Sequence, residues 1–423
     1  MRAAYLLAVF AVLAALTPAF GADDLPLDGL PEPLERSRGI GPLRLDPSFK
    51  LEEFGYDSNI LLAPPGKERG DIVGRFAPSL SGQVFLGHRG LISFQEKPEY
   101  VSFARTSFLN YANNSLEGRA DMILHRTSLV FGGRWLTNKD RPNNELDIRP
   151  RQHSAGFFTG AGWRTSSRTS VSFTLSQQQR RYRARESPDI GLFLDRHESR
   201  ASARLRYRIF TSTKLFVEYS RLQIEFDRSA GRNSRQAEVM PGVAFDPESR
   251  LSGSIKAGPA RFDAISGGKP DFQGILGHAE VAFRASELWK ARTEWSREVV
   301  YSTFGDNLFF LDSRTSATAS RALGERIALE AGWERIGVAW PAPFCTAAQV
   351  VTPSAAECER LRSLGDPIVE KRRGDQIQGY LLGTRLRLAR HAEAILRLGY
   401  RRRTSNFPGE GNRQWTFTTG AGF

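Results

Sequence analysis

The chain has 423 residues, of which 40% are hydrophobic and 25% charged, and its 59 basic and 46 acidic residues give a formal net charge of +13. These proportions fit a soluble protein and a membrane barrel with a polar lumen equally well. Beyond Leu16 no stretch approaches the roughly 20 apolar residues of a membrane-spanning helix, which excludes a helical membrane protein.

The N-terminus has the features of a secretory signal peptide. Arg2 precedes an apolar run, residues 3–16, and Ala19-Phe20-Gly21 provides a cleavage site of small residues. We therefore predict a Sec-type signal peptide over residues 1–21. Residues 22–42 contain several Pro, Gly and acidic residues and are interpreted as a periplasmic linker.

From residue 43 onward, hydrophobic and polar residues alternate with a period of two, which is the pattern of strands with one apolar face. Segments of about 10 to 14 residues are joined in turn by short connections and by longer polar loops, as in outer-membrane barrels. The short connections are predicted near residues 87–90, 125–126, 166–167, 209–212, 246–249, 285–287, 323–325 and 390–391.

This pattern predicts an all-β protein, a transmembrane up-and-down antiparallel β-barrel of about 18 strands over residues 43–423, with both ends on the periplasmic side. A soluble β-sandwich or propeller is the alternative. In the last segment Trp415, Phe417 and Phe423 lie on one face, which resembles the insertion signal of outer-membrane barrels. We expect this strand to pair with the strand that begins near Leu43.

Two local features complicate the predicted strands. First, the apolar phase changes at Arg221, which implies either a bulge or a strand that rises above the membrane. Second, five prolines fall inside strands and are expected at bulges or strand starts, because proline lacks the backbone N–H of the ladder. These prolines are Pro47, Pro78, Pro98, Pro241 and Pro259.

An 18-stranded barrel is wide enough for an aqueous channel, and charged residues fall on its predicted inner face in two arcs. Opposed arcs would produce a field across the channel, whereas the alternative is a set of lumen salt bridges. The basic arc comprises Arg200, Arg204, Arg206, Arg208, Arg385, Arg387, Arg397 and Arg401. The acidic arc comprises Glu280, Glu294, Glu298, Asp312, Glu330 and Glu334.

The longest predicted loop, residues 337–374, contains both cysteines, Cys345 and Cys358. Outside the cytoplasm we expect them to form a disulfide. A stapled loop of this kind fits a constriction or a lid, or a loop that is braced against proteolysis.

The sequence lacks the residue patterns of an active site. Its six His are scattered, and we find neither a nucleophile motif nor metal-ligand spacing. We predict no enzymatic activity, cofactor or metal.

Three segments near the start of the barrel carry a family resemblance: Phe54 to Ile60, which contains Tyr-Asp-Ser-Asn, Ala77 to Leu80, and Pro98 to Val101. They resemble the putative β-barrel porin 2 family, and the resemblance implies a barrel encoded with exopolysaccharide assembly systems. It also implies a periplasmic polysaccharide-export protein as a partner, because the chain has no long periplasmic helical-repeat region.

The leading functional hypothesis is an outer-membrane pore that exports exopolysaccharide to the cell surface. The alternatives are a general or substrate-selective uptake porin, and a non-conducting barrel that serves as an adhesin, receptor or structural protein. The expected partners are outer-membrane lipid and lipopolysaccharide, the barrel assembly machinery and the polysaccharide cargo. We expect no nucleic-acid partner.

Overall fold

The computed structural model describes most of the chain after residue 37. The described residues are 38–141, 143–145, 149–184, 189–266, 269–303, 307–347, 350–352, 359–360, 362–363, 368–389, 392–407 and 410–422. The predicted signal peptide, most of the predicted linker, Cys358 and Phe423 lie outside these ranges. Among the residues that the structure describes, no helix has the length and apolarity needed to cross a membrane.

Within the described ranges, one antiparallel sheet holds eighteen long strands and two strands of three residues, β1 (Arg38–Ile40) and β17 (Val350–Thr352). The long strands are β2 (Leu43–Asp57), β3 (Asp71–Leu86), β4 (Gly90–Phe103), β5 (Tyr111–Leu124), β6 (Thr127–Asn138), β7 (Arg151–Arg164), β8 (Thr169–Arg183), β9 (Arg196–Phe210), β10 (Thr213–Phe226), β11 (Ser234–Phe245), β12 (Leu251–Ala264), β13 (Phe272–Arg284), β14 (Trp289–Tyr301), β15 (Phe309–Leu323), β16 (Ile327–Ala347), β18 (Ile368–Arg387), β19 (Glu393–Ser405) and β20 (Asn412–Gly422). A five-residue helix, α1 (Ile190–Leu194), lies between β8 and β9.

The sheet closes on itself, because β20 pairs with β2 as well as with β19. Lys50 lies opposite Gly422 and Asp57 opposite Thr416, with a register shift between Leu51 and Phe54. The predicted pairing of the first and last long strands is therefore confirmed, as is the eighteen-stranded antiparallel barrel. All eight predicted short connections fall between consecutive long strands. Both described ends of the barrel lie at its short-turn end, which is periplasmic in such barrels.

The outer wall carries aromatic side chains in register across neighbouring strands. Trp333 lies opposite Tyr380, Tyr380 opposite Tyr400, and Tyr400 opposite Trp415. The Tyr400 and Trp415 rings are 4.4 Å apart. A belt of this kind marks the level at which the lipid headgroups begin.

Four of the five prolines do not lie where the sequence suggested. Pro78 and Pro98 oppose each other in a gap of the β3–β4 ladder that has no register shift. Pro241 and Pro259 lie in a matching gap of the β11–β12 ladder. Since a proline lacks only its own N–H, each strand loses bonds along one edge and stays paired along the other. No bulge is needed there.

The change of apolar phase at Arg221 is not a bulge either. β10 pairs continuously with β9 and β11 through this residue. Above Arg221 the outward positions become polar, and the apolar side chains of Ile224 and Phe226 are buried on the inner side. Of the two predicted explanations, the strand that rises above the membrane accounts for the pattern.

The predicted loop at 337–374 is shorter than expected, because β16 extends to Ala347 and β18 begins at Ile368. Cys345 lies in β16 and pairs in register with Thr352 and Glu370. The inward positions of β16 are apolar there: Trp340 and Phe344 are both buried among aromatic neighbours. The disulfide with Cys358 stays a prediction.

Candidate functional site: the barrel lumen

The charged residues predicted to line the lumen occupy the strand positions that alternate with exposed apolar residues. On β9, for example, Arg204 and Arg206 alternate with Leu205 and Tyr207, whose side chains are about half exposed on the outer wall. The same alternation places the other members on the inner face: Arg200, Arg208, Glu280, Glu294, Glu298, Asp312, Glu330, Glu334, Arg385, Arg387, Arg397 and Arg401.

Many of these charges have a partner of opposite sign nearby. Arg204 forms a buried ion pair with Glu218, which also accepts a hydrogen bond from Lys256 Nζ at 3.2 Å. Arg292 lies between two members of the acidic arc, 2.8 Å from Glu280 and 2.7 Å from Glu294. These contacts favour the alternative in which lumen charges form salt bridges, and the field across the channel stays a prediction.

Two glycines on β18 allow acidic side chains of β16 to approach basic side chains of β19. Gly379 separates Glu334 on β16 from Arg401 on β19, and Gly383 separates Glu330 from Arg397 in the same way. The glycines have no side chains, so the flanking side chains pack over them: Glu334 Cβ lies 3.5 Å from the position of an added Cβ at Gly379. Each basic residue is held beside an acidic one.

A cavity of about 620 Å³ occupies the short-turn end of the lumen. We call it the vestibule. Seven basic and three acidic side chains are among its lining residues. The basic ones are Arg204, Arg206, Lys214, Arg284, Lys290, Arg292 and Arg385, and the acidic ones are Asp246, Glu280 and Glu330.

At the opposite end, the segment that joins β6 to β7 crosses the barrel. β15 is the ninth strand from β6 in a ring of eighteen, and therefore lies diametrically opposite. Asn144 of the segment nevertheless donates a hydrogen bond to Asp312 Oδ2 on β15 at 3.1 Å. On its return, Arg149 lies over the rings of Phe103 and Tyr111 on the near wall.

Glu145 fixes the far end of this crossing. Its carboxylate accepts hydrogen bonds from Ser302 Oγ at 2.5 Å, Thr303 N at 2.6 Å and Thr303 Oγ1 at 2.8 Å. It also accepts one from Trp340 Nε1 at 2.9 Å. The side chain is buried, so the carboxylate joins the crossing segment to the β14–β15 connection and to β16 in a site with little water.

The upper ends of β14 and β15 lean into the barrel. Pairing between β13 and β14 stops at Gly277 and Arg297, although both strands continue. Beyond that point Tyr301 packs against Phe226 and Phe262 of β10 and β12, with ring centroids 5.9 Å away in each case. The outward face of β14 is therefore in contact with lipid only in the lower part of the strand. Near Tyr301 the same face contacts side chains that point into the lumen.

Further inward contacts come from the neighbouring connections. In α1, Ile190 and Leu194 are buried against Tyr182. Arg232 is buried and donates a hydrogen bond to the Ser302 carbonyl. Burial lowers the pKa of Arg232 to about 10, so its guanidinium is still charged at neutral pH, and the nearby Glu145 favours that charge. We use the name roof for Glu145, Arg149, α1, Arg232 and Tyr301 together.

The Tyr-Asp-Ser-Asn sequence also has a structural role at this end. Asn59 is fully buried, and its Nδ2 donates hydrogen bonds to the carbonyls of Ala63 at 2.8 Å and Arg413 at 3.0 Å. Its Oδ1 accepts one from Ala63 N at 2.9 Å. Asn59 therefore fixes the β2–β3 connection and attaches it to the last strand, while Ile60 packs on the inner wall.

Sequence reasoning missed the roof. Residues 137–151 were predicted only as one of the long polar loops, since they have neither apolar periodicity nor a motif. What makes Glu145 important is a set of partners 157 to 195 positions away in the chain. The predicted insertion-signal residues Trp415 and Phe417 are exposed on the outer wall of β20, and their role in insertion stays a prediction.

Comparison with known proteins gave one family match and several structural similarities. The family described as putative beta-barrel porin 2 matches residues 40–334. No curated protein matches the sequence. Among solved structures, the outer membrane protein OpdK of Pseudomonas aeruginosa is similar, with 10% identity, a TM-score of 0.47, and coverage of 90% of this chain and 98% of OpdK.

Two other similar structures are those of an iron transporter and a secretin. The FrpB iron transporter of Neisseria meningitidis has 10% identity, a TM-score of 0.44, and coverage of 91% of this chain and 63% of its own. A bacterial polysaccharide outer membrane secretin has 9% identity, a TM-score of 0.36, and coverage of 89% and 97%.

Proposed function

The chain belongs to the putative beta-barrel porin 2 family, and from that premise we propose that it is an outer-membrane pore through which exopolysaccharide passes to the cell surface. The family match and the closed barrel support a porin of the bacterial outer membrane. The polysaccharide cargo and cleavage of a signal peptide after residue 21 belong to the proposal.

The vestibule is the observation that carries this proposal. It is a wide, charge-lined cavity at the end of the barrel that receives material from the periplasm, and the roof lies at the other end. A hydrated sugar polymer needs hydrogen-bond donors and acceptors along its path, and charged side chains keep such a path wet. The lumen ion pairs supply hydrogen-bond donors and acceptors without forming a strong binding site that would stop the polymer.

In this proposal the roof is the outer gate. Polysaccharide that enters from the periplasm must displace the crossing segment, whose hold on the far wall is concentrated at Glu145 and Asn144. A periplasmic polysaccharide-export protein would deliver the polymer to the short turns. The barrel assembly machinery would insert the barrel.

Lipopolysaccharide is the proposed partner of the outer wall. Arg402 and Arg413 lie directly opposite each other, one step above the belt residues Tyr400 and Trp415, and both are exposed. Arg335 lies two strands away at the same level. Like charges in direct opposition are destabilising unless an anion neutralises them. The phosphates of lipopolysaccharide lie at this level of the outer membrane and would supply that charge.

Deletion of the gene in its native bacterium tests the export proposal. We expect surface polysaccharide to be lost while cytoplasmic synthesis continues, and a plasmid copy to restore it. Unchanged surface polymer would overturn export. Genomic neighbours that encode a polysaccharide polymerase and glycosyltransferases would support the proposal.

The roof also favours a second candidate, a barrel that does not conduct. Side chains from the β6–β7, β8–β9, β10–β11 and β14–β15 connections meet inside the outer end of the lumen. Planar-bilayer recording separates the two candidates. A barrel that stays closed when the Glu145 contacts are removed would support an adhesin or structural role, and one that opens would support a gated pore.

A further inference from the structure

A groove of about 380 Å³ lies on the outer wall between β7 and β10, and we call it the wall groove. Ala201 of β9 forms its floor. The longer side chains of the two register partners of Ala201, Leu175 on β8 and Arg221 on β10, stand on either side. Leu175 and the lining residue Phe157 are exposed outward side chains, so the groove opens to the outside of the barrel.

The wall groove spans the level at which the outer wall changes from apolar to polar. Its lining side chains form two rows across β8, β9 and β10. The rows are Leu175–Ala201–Arg221 and, one outward step above, Gln177–Ser199–Gln223. The upper row is polar throughout, and Gln177 Nε2 lies 3.5 Å from Ser199 Oγ. The groove therefore has an apolar lower part and a polar upper rim.

Arg221 brings a positive charge to this rim. It is exposed and lies one outward step above Tyr219, an aromatic side chain that is 48% exposed on the outer wall. Arg402 lies one outward step above Tyr400 in the same way. Aromatic belts mark the edge of the apolar band of a membrane barrel, so an arginine just above such a residue lies at the depth of the lipid headgroups.

We propose that the wall groove binds an acyl chain of lipid A, the lipid end of lipopolysaccharide, while Arg221 binds one of its phosphates. The chain would bury apolar surface against Phe157, Leu175 and Ala201. The guanidinium of Arg221 presents paired N–H donors that match phosphate oxygens. The groove thus offers an apolar surface and a positive charge in the order in which lipid A carries its chains and its phosphates.

This lipid site is separate from the Arg402–Arg413 pair and from the pore. β10 is the ninth long strand from β20 in the ring of eighteen, so the wall groove lies on the opposite side of the barrel from that pair. The site requires only that the barrel lies in the outer membrane, whatever passes through the lumen.

Native mass spectrometry of the full-length barrel, purified in detergent and titrated with diphosphoryl lipid A, tests the site. The background variant is Arg402→Gln with Arg413→Gln, so that lipid held on the opposite side does not obscure the groove. We expect this variant to bind lipid A, and to bind dephosphorylated lipid A at least about tenfold more weakly, the factor that corresponds to loss of one charge-assisted hydrogen bond. If the variant binds no lipid A, or binds dephosphorylated lipid A or phosphatidylglycerol equally well, the proposal is overturned.

Two substitutions in this background localise the site. Ala201→Trp fills the groove and Arg221→Gln removes the charge at its rim, and each should weaken binding of lipid A at least about tenfold. The matched controls are Ala319→Trp and Arg321→Gln, which make the same changes on the outward face of β15. Heat-dependent gel mobility verifies that each variant is folded, and Arg221→Gln decides alone if Ala201→Trp does not fold. An equal loss in the controls would overturn a site in the wall groove.

The outcomes also separate the lipid site from export. Surface polysaccharide that is unchanged after gene deletion overturns export and leaves the wall groove as a lipid site. A barrel that binds no lipid A in the groove overturns the lipid site and leaves export in place.

Discussion

Glu145 shows how one carboxylate holds the roof in place. It accepts four hydrogen bonds from Ser302, Thr303 and Trp340, and its loss would leave these donors buried and unsatisfied. Each such donor costs about 1–3 kcal/mol. For Glu145→Ala we therefore expect a loosened roof, seen as more frequent open-channel events in planar bilayers and faster amide exchange at Thr303. The barrel should keep its thermal stability, since its strand ladders are untouched.

The control for this experiment is Glu248→Ala, because Glu248 is exposed in a short turn at the other end. Equal channel activity in the two variants would contradict the role of Glu145 in holding the roof in place. Glu145→Gln is a useful intermediate, since it retains one acceptor oxygen.

Asn59 has a different role from that of Glu145, because it stabilises the barrel wall and not the roof. Its side chain makes three hydrogen bonds from a fully buried position, two to Ala63 and one to Arg413. For Asn59→Ala we expect a loss of about 2–4 kcal/mol, as two backbone carbonyls and one N–H lose their partner. The urea midpoint of the detergent-solubilised barrel measures it. Lys67→Ala in the same connection should have no effect, and a comparable change there would contradict the assigned role.

Sequence reasoning succeeded at the residue scale where a rule is local. Alternation with a period of two assigns Arg204 and Glu334 to the inner face without knowledge of any partner. It does not reveal that Glu218 neutralises Arg204, or that Gly379 lets Glu334 lie beside Arg401, since both depend on the register between strands. Register follows from turn lengths and bulges together, which no single segment encodes.

Among the strands, the eight short connections were predictable because small and polar residues interrupt the alternation there. The upper ends of the strands were not predictable from the sequence. In the upper parts of β10 and β16 the apolar side chains lie on the inward face, so the apolar pattern that marks a lipid-facing wall disappears. The prolines misled for a related reason: a strand in a barrel has two edges, and losing one N–H affects only one of them.

The outer ends of β19 and β20 are the place to test lipopolysaccharide binding. The opposed residues Arg402 and Arg413 have the same charge, and Glu68 compensates only for Arg413, at 3.1 Å. Hydrogen bonds with its own backbone, with Arg413 and with Gly66 lower the pKa of the Glu68 carboxyl and so favour its ionised form. We expect Arg402→Gln with Arg413→Gln to reduce the lipopolysaccharide that copurifies with the barrel by severalfold. Added lipopolysaccharide should raise the melting temperature of the native barrel and not of the variant.

Dephosphorylated lipopolysaccharide and the lumen variant Arg284→Gln with Lys290→Gln provide the controls. Stabilisation that survives removal of the phosphates would point to the acyl chains and contradict a phosphate site. A lumen variant that loses as much copurified lipopolysaccharide would show that net charge, and not the position of the outer arginines, controls binding.

For the whole molecule, the main question is whether the closed sheet and the roof are energetically separate. The barrel is held by ladders between neighbouring strands and by the β2–β20 closure, and none of these depends on the segment that crosses the lumen. Replacing residues 139–150 with a short Gly-Ser linker should therefore leave the melting temperature within a few degrees of that of the native barrel.

The same replacement should convert a mostly closed barrel into one with stable, stepwise conductance, because an eighteen-stranded wall leaves an aqueous channel once nothing crosses it. The open channel should favour anions at low salt, since the vestibule remains and most of its charged lining residues are basic. A similar replacement of residues 265–271, an outer connection on the β12–β13 side, keeps the crossing segment and should stay closed. If both variants conduct equally, the roof is not the barrier; if neither conducts, the lumen is blocked elsewhere and the pore proposal is overturned.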